Sequence, residues 1–108
     1  MSWQEAVRTQ MDANTKRLSA VNGILAGSVT WDPPSAAAGT EVSTTVPVTG
    51  AVPGDVAQAG FTTTLPAGVA LRAFVSAADT VTVVLRNYTA GAVDLASGTL
   101  KVVVFDTL

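Results

Sequence analysis

The chain contains no cysteine and no histidine. Disulfide frameworks, thiolate metal sites and cysteine nucleophiles are therefore excluded. So is the side chain that most often serves as a general base near neutral pH. Charge is scarce as well. Asp, Glu, Lys and Arg make up 13% of the 108 residues, about half the share usual for a soluble domain. The six basic residues (Arg8, Lys16, Arg17, Arg72, Arg86 and Lys101) are dispersed and the net charge is −2, so the sequence offers no clustered basic patch for nucleic acid. No uninterrupted apolar run reaches the roughly 18 residues of a membrane span. The N-terminal MSWQEAVR lacks the apolar stretch of a signal peptide. These absences lead to the expectation of a protein made in a cytoplasm, without a signal peptide, with no cofactor, nucleic-acid or membrane partner.

What is present is hydrophobic: 48% of the residues, enough for one packed core in a chain too short for two. A monomer with so little charge leaves much apolar and hydroxyl surface in water. Burying part of it between subunits removes the difficulty, so composition already favours an oligomer.

Composition changes near Gly27, after which 15 of 17 Val and 13 of 15 Thr fall. β-branched side chains suit a pleated surface, whereas the first 26 residues are rich in helix formers such as Gln, Glu, Arg, Lys, Met, Leu and Ala. This predicts a helical oligomerisation segment over residues 1–26 and a β domain over residues 27–108. Ser2-Trp3-Gln4-Glu5 has the form of a capping box at the helix start. Asn22-Gly23 could end the helix, or it could run on to Gly27.

Val7, Met11, Asn14, Leu18, Val21 and Leu25 recur at alternating spacings of four and three. That is a heptad seam with Met11, Leu18 and Leu25 at a and Val7, Asn14 and Val21 at d. An amphipathic helix lying on its own β domain would carry a wider stripe, and here Arg8, Gln10, Asp12, Thr15 and Arg17 beside the seam are polar. The narrow stripe points to a short coiled coil. An amide at Asn14 costs seam stability but sets register and oligomer state. The stretch Met11-Asp12-Ala13-Asn14-Thr15-Lys16-Arg17-Leu18 resembles the stalk repeats of trimeric autotransporter adhesins and phage fibres, with Met standing where those repeats carry Ile. In those families Asn at d accompanies parallel trimers, so the resemblance implies a homotrimer.

Six strand-like runs follow. One opens at Val29 and Trp31 and stops at Asp32-Pro33-Pro34, because Pro-Pro cannot continue a ladder. The others are read at Glu41–Val48, Phe61–Leu65, Val69–Val75, Thr80–Tyr88 and Thr99–Phe105, with Gly50–Asp55 as a loop. Strands at this spacing with no helix between them predict an antiparallel β-sandwich or small barrel, so the fold class is mainly β with an N-terminal helix. Alternation places Val81, Val83 and Leu85 on one face of their strand, and Leu100, Val102 and Val104 on one face of theirs. The opposite face of the last strand then carries Lys101, Val103 and Phe105, and the apolar pair Val103 and Phe105 needs cover from another element or another subunit.

Val29-Thr30-Trp31-Asp32-Pro33-Pro34, the run from Val75 to Thr89 and the run from Val93 to Val104 resemble small structural proteins of tailed phages. That resemblance implies a virion component, with the major capsid protein as partner: a capsid decoration (cement) protein, a head fibre or a small fibre module. It carries no catalytic motif.

Chemistry is sparse elsewhere. Lys16 and Lys101 lie in a helical and an apolar strand context, which suits neither to a Ser/Lys dyad. Asp32, Asp55, Asp79 and Asp94 fall in loops without calcium-loop spacing, where Asp ordinarily caps turns. Asn87-Tyr88-Thr89 matches a glycosylation sequon. Trp31 is expected in the core, and Trp3, at the free end of the helix, is a candidate partner contact. The leading expectation is a non-enzymatic trimeric decoration protein or head fibre. A receptor-binding fibre module would show exposed aromatics, and most aromatics here fit the core. A secreted adhesin fragment would need an export signal.

Overall fold

A computed structural model describes residues 21–107. These form six strands: β1 (Val21–Trp31), β2 (Glu41–Pro47), β3 (Val56–Phe61), β4 (Val69–Ala77), β5 (Thr80–Asn87) and β6 (Gly98–Thr107). They make two three-stranded sheets, ordered β1-β6-β3 and β2-β5-β4, and every pairing is antiparallel. Only the β4–β5 connection stays within one sheet; each of the others crosses between the two. The mainly β, antiparallel character is as the alternation predicts.

The core lies between the sheets. Val81, Val83 and Leu85 of β5 face Leu100, Val102 and Val104 of β6, joined by Val46, Val48, Val75 and Trp31. These are the faces that period-two alternation selects, because successive strand side chains point to opposite sides. Trp31 is buried and packs at 5.9 Å and 55° against the Phe61 ring, a tilted geometry that aromatic quadrupoles favour.

Two elements differ from the sequence reading. β1 begins at Val21, so Asn22-Gly23 does not end a helix and no helix reaches Gly27. Val21 and Leu25, assigned to the heptad seam, are strand residues. Residues 24–30 alternate outward and inward, and Leu25 packs against the core. The reason is tertiary: nearly the whole of β1 pairs with β6, from Val21–Thr107 to Trp31–Gly98, and helix propensity is a weak local preference beside such a ladder. The remaining seam residues Val7, Met11, Asn14 and Leu18, together with Trp3 and the capping box, lie outside the described residues.

The second difference is β3, read at Phe61–Leu65 but formed by Val56–Phe61. Its Ala-Gln-Ala-Gly centre has poor strand propensity, yet it pairs with Val104 to Lys101 on β6. The Thr run after it serves a loop instead. Thr62 Oγ1 accepts from the Thr99 N–H at 2.8 Å, and Thr63 Oγ1 donates to the Ala96 carbonyl at 3.1 Å. Side-chain hydroxyls that bond the backbone compete with a regular ladder.

Candidate functional site

Each sheet has one face in the core and one outside, and the two outer faces differ in chemistry. On the β1-β6-β3 sheet, register aligns the outward residues in rows across the strands. Ile24, Phe105 and Val56 form the first row, Ala26, Val103 and Gln58 the second, and Ser28, Lys101 and Gly60 the third. Ile24 is 62% exposed, Val56 51% and Val103 36%, with Phe105 half-buried. Lys101 is the sole charge on this face among the described residues. Small residues beside Val103 leave open depressions of about 380 and 390 Å³, one bordered by Ala26 and Ser28, the other by Gln58 and Gly60. Val103 thus stands as a ridge between two hollows, a relief suited to interdigitation with another surface.

Val103 and Phe105 lie on the outer face, as alternation places them, and no other described element covers that face. Sequence reasoning missed Ile24 and Val56. Ile24 falls in the 1–26 segment read as helical and Val56 lies between the Gly50–Asp55 loop and the strand read from Phe61, so neither could be matched to Phe105 without the register.

The outer face of β2-β5-β4 is polar and aromatic. Arg86 stacks 5.1 Å from the Tyr88 ring centroid and Arg72 5.5 Å from that of Phe74. Glu41 lies between them, 3.5 Å from Arg86 and 4.0 Å from Arg72. These solvent-facing ion pairs contribute little to stability, on the order of 0–1 kcal/mol each. Tyr88 and Phe74 are both exposed, so two of the aromatics do not serve the core.

Three of the remaining candidate groups, Asp79, Asp55 and Asn87, have structural partners. Asp79 adopts φ 59° at the β4–β5 turn, and its Oδ1 accepts from the Gly50 N–H at 2.7 Å. Asp55 Oδ2 accepts from the Val52 N–H at 3.1 Å. Asp55 caps its own turn, whereas Asp79 ties the β4–β5 turn to the loop after β2. Asn87 of the sequon is almost wholly buried. Its Nδ2 donates to the carbonyls of Ala36 at 3.0 Å and Gly91 at 2.8 Å, and its Oδ1 accepts from the Thr89 N–H and hydroxyl. An amide so enclosed is not open to a glycosyltransferase in the folded protein; it ties the loop after β1 to the loop after β5. Among the described residues no three His, Cys, Asp or Glu side chains gather to hold a metal.

Comparison with protein-family models, curated proteins and solved structures found no match to this chain.

Proposed function

We propose that the protein is a non-catalytic structural component of a tailed-phage particle, self-associating as a homotrimer. In this reading it is a capsid decoration protein or head fibre bound to the major capsid protein, and residues before β1 contribute a short coiled coil. The observation that supports self-association is the outer face of β1-β6-β3. Exposed Ile24, Val56 and Val103 sit in adjacent rows with Phe105, a contiguous apolar patch of the kind that marks interaction surfaces. The phage assignment rests on the resemblance described above. The test is co-sedimentation of purified protein with capsids lacking it, beside a form without residues 1–20. Saturable binding at a multiple of three copies per site is expected, and failure of the full-length protein to bind would refute the decoration reading.

A second reading has its own support. The Tyr88–Arg86–Glu41–Arg72–Phe74 stripe displays exposed aromatics and paired charges on the opposite sheet. Such a surface suits a fibre module that contacts a host surface. Binding to host cells that is lost in an Arg86→Ala, Tyr88→Ala variant, with no binding to capsids, would favour it.

A further inference from the structure

The positive charge of the β domain is gathered on one surface. Among the described residues three side chains are basic and six are acidic. Two of the three bases, Arg72 and Arg86, stand on the outer face of β2-β5-β4, where Glu41 is the only acid among those residues. Asp32, Asp55, Asp79 and Asp94 lie in loops and turns, and Asp106 belongs to β6. The face is a cationic island on a net-acidic domain.

Register shows how the island is built. Successive rows across β2, β5 and β4 hold Glu41–Arg86–Ala70, Ser43–Val84–Arg72 and Thr45–Thr82–Phe74. Tyr88 follows Arg86 by two residues, just past the end of β5. Both guanidiniums approach the same Glu41 oxygen, Oε2, at 3.5 Å from Arg86 and 4.0 Å from Arg72. A tight charge-assisted bond spans about 2.7–2.9 Å, so both contacts are loose. Each engages one guanidinium nitrogen, and no other hydrogen bond occupies either fork among the described residues. A guanidinium fork then has donors to spare. Glu41 keeps the two cations together without using up their donors, and one positive charge is left over.

We infer that this face binds an acidic polysaccharide, a carboxylate of the chain bridging Arg72 and Arg86 while its sugar rings lie against Tyr88 and Phe74. This rests on the second reading above, of a host-contacting surface, and adds the class of ligand. Charge, spacing and polarity select that class. A single surplus positive charge suits a polymer with an occasional carboxylate, whereas nucleic acid, with a phosphate at every nucleotide, calls for clustered bases. Phe74 pairs with Thr82, six residues before Tyr88, so the two rings are rooted about 20 Å apart along the strands. No small molecule touches both. An extended chain lying along β5 passes Phe74, the two arginines and Tyr88 in turn.

A sugar has apolar ring faces and a hydroxylated rim, so it stacks on an aromatic and hydrogen-bonds beside it. Both rings here are exposed, and the exposed hydroxyls of Ser43 and Thr45 lie in the rows of Arg72 and Phe74. Each ring also carries an arginine, Arg86 at 5.1 Å and Arg72 at 5.5 Å from the centroid. Stacking of this kind restrains both partners before a ligand arrives, which lowers the entropy lost on binding.

The test uses the full-length protein with polygalacturonate and hyaluronan, each beside a form whose carboxylates are methyl-esterified. Calorimetric titration should show binding to at least one acid form and none to its ester. Arg72→Gln and Arg86→Gln should each weaken that binding about tenfold, the loss of one charge-assisted hydrogen bond, with the melting temperature unchanged. Glu41→Gln should tighten it, because the variant removes the carboxylate that competes for both guanidiniums. Binding to neither acid form, equal binding to the esters, weaker binding by Glu41→Gln or tighter binding to single-stranded DNA would each overturn the inference. Loss of host-cell binding in the Arg86→Ala, Tyr88→Ala variant, with both polysaccharides unbound, would overturn the glycan and leave the contact surface standing. Absence of both kinds of binding would overturn both.

Discussion

Replacing Asn87 with Ala tests the idea that one buried amide holds two long loops to the sandwich. Four well-formed bonds are lost: Nδ2 to the Ala36 and Gly91 carbonyls at 3.0 and 2.8 Å, and Oδ1 from the Thr89 N–H and hydroxyl at 2.9 and 2.6 Å. Some groups left behind keep a partner. The Ala36 carbonyl still accepts from the Val93 N–H, and the Thr89 hydroxyl still reaches the Gly91 carbonyl. The Thr89 N–H shows no second acceptor. At about 1 kcal/mol net per bond, with an added penalty for a donor left unpaired, the expected cost is about 2–4 kcal/mol. For a domain of this size that lowers the melting temperature by about 10–25 °C. Urea and thermal unfolding followed by circular dichroism measure it directly. Asn87→Asp is the informative companion, because it retains an acceptor for Thr89 but turns a carboxylate towards two carbonyls. It should destabilise at least as much as Ala. An Asn87→Ala protein within ~0.5 kcal/mol of the parent would refute the view that this amide anchors the loops.

Gly27→Ala should destabilise by about 1–3 kcal/mol, because its Cβ would lie 2.5 Å from the Pro47 carbonyl oxygen; Gly60→Ala, with open space, should be neutral within ~0.5 kcal/mol. Parallel chemical denaturation of the two compares them. Val103→Lys should leave subunit folding unchanged within ~0.5 kcal/mol, since the side chain is outward, but should shift the protein to monomer in light scattering; an unchanged oligomer would remove the Val103 face from the interface. On the proposed coiled-coil reading, Asn14→Ile should raise thermal stability, because a seam amide is less favourable than a packed aliphatic; a large loss in a calorimetric scan would refute that placement of Asn14. Deleting residues 1–20 should preserve the β circular-dichroism spectrum, whereas deleting 1–26 should abolish it by cutting into β1.

Much of the β domain was legible in the sequence because it rests on local patterns. Period two in β5 and β6 identified both core faces, and Asp32-Pro33-Pro34 ended the first strand where the structure ends it. Val103 and Phe105 were placed on the outer side by the same alternation. The tertiary structure decided what local pattern could not. Residues 21–26 satisfy both a heptad and a strand alternation, and it was pairing along β6 that made them β1. β3 formed from Val56–Phe61, whose centre has poor strand propensity, through its pairing with β6, while Thr62 and Thr63 bond the 96–99 backbone instead of continuing the strand. Above all, the patch of Ile24, Phe105 and Val56 joins residues from three distant parts of the chain. Cross-strand register is a property of sheet pairing, so no pattern within any one strand could disclose that face.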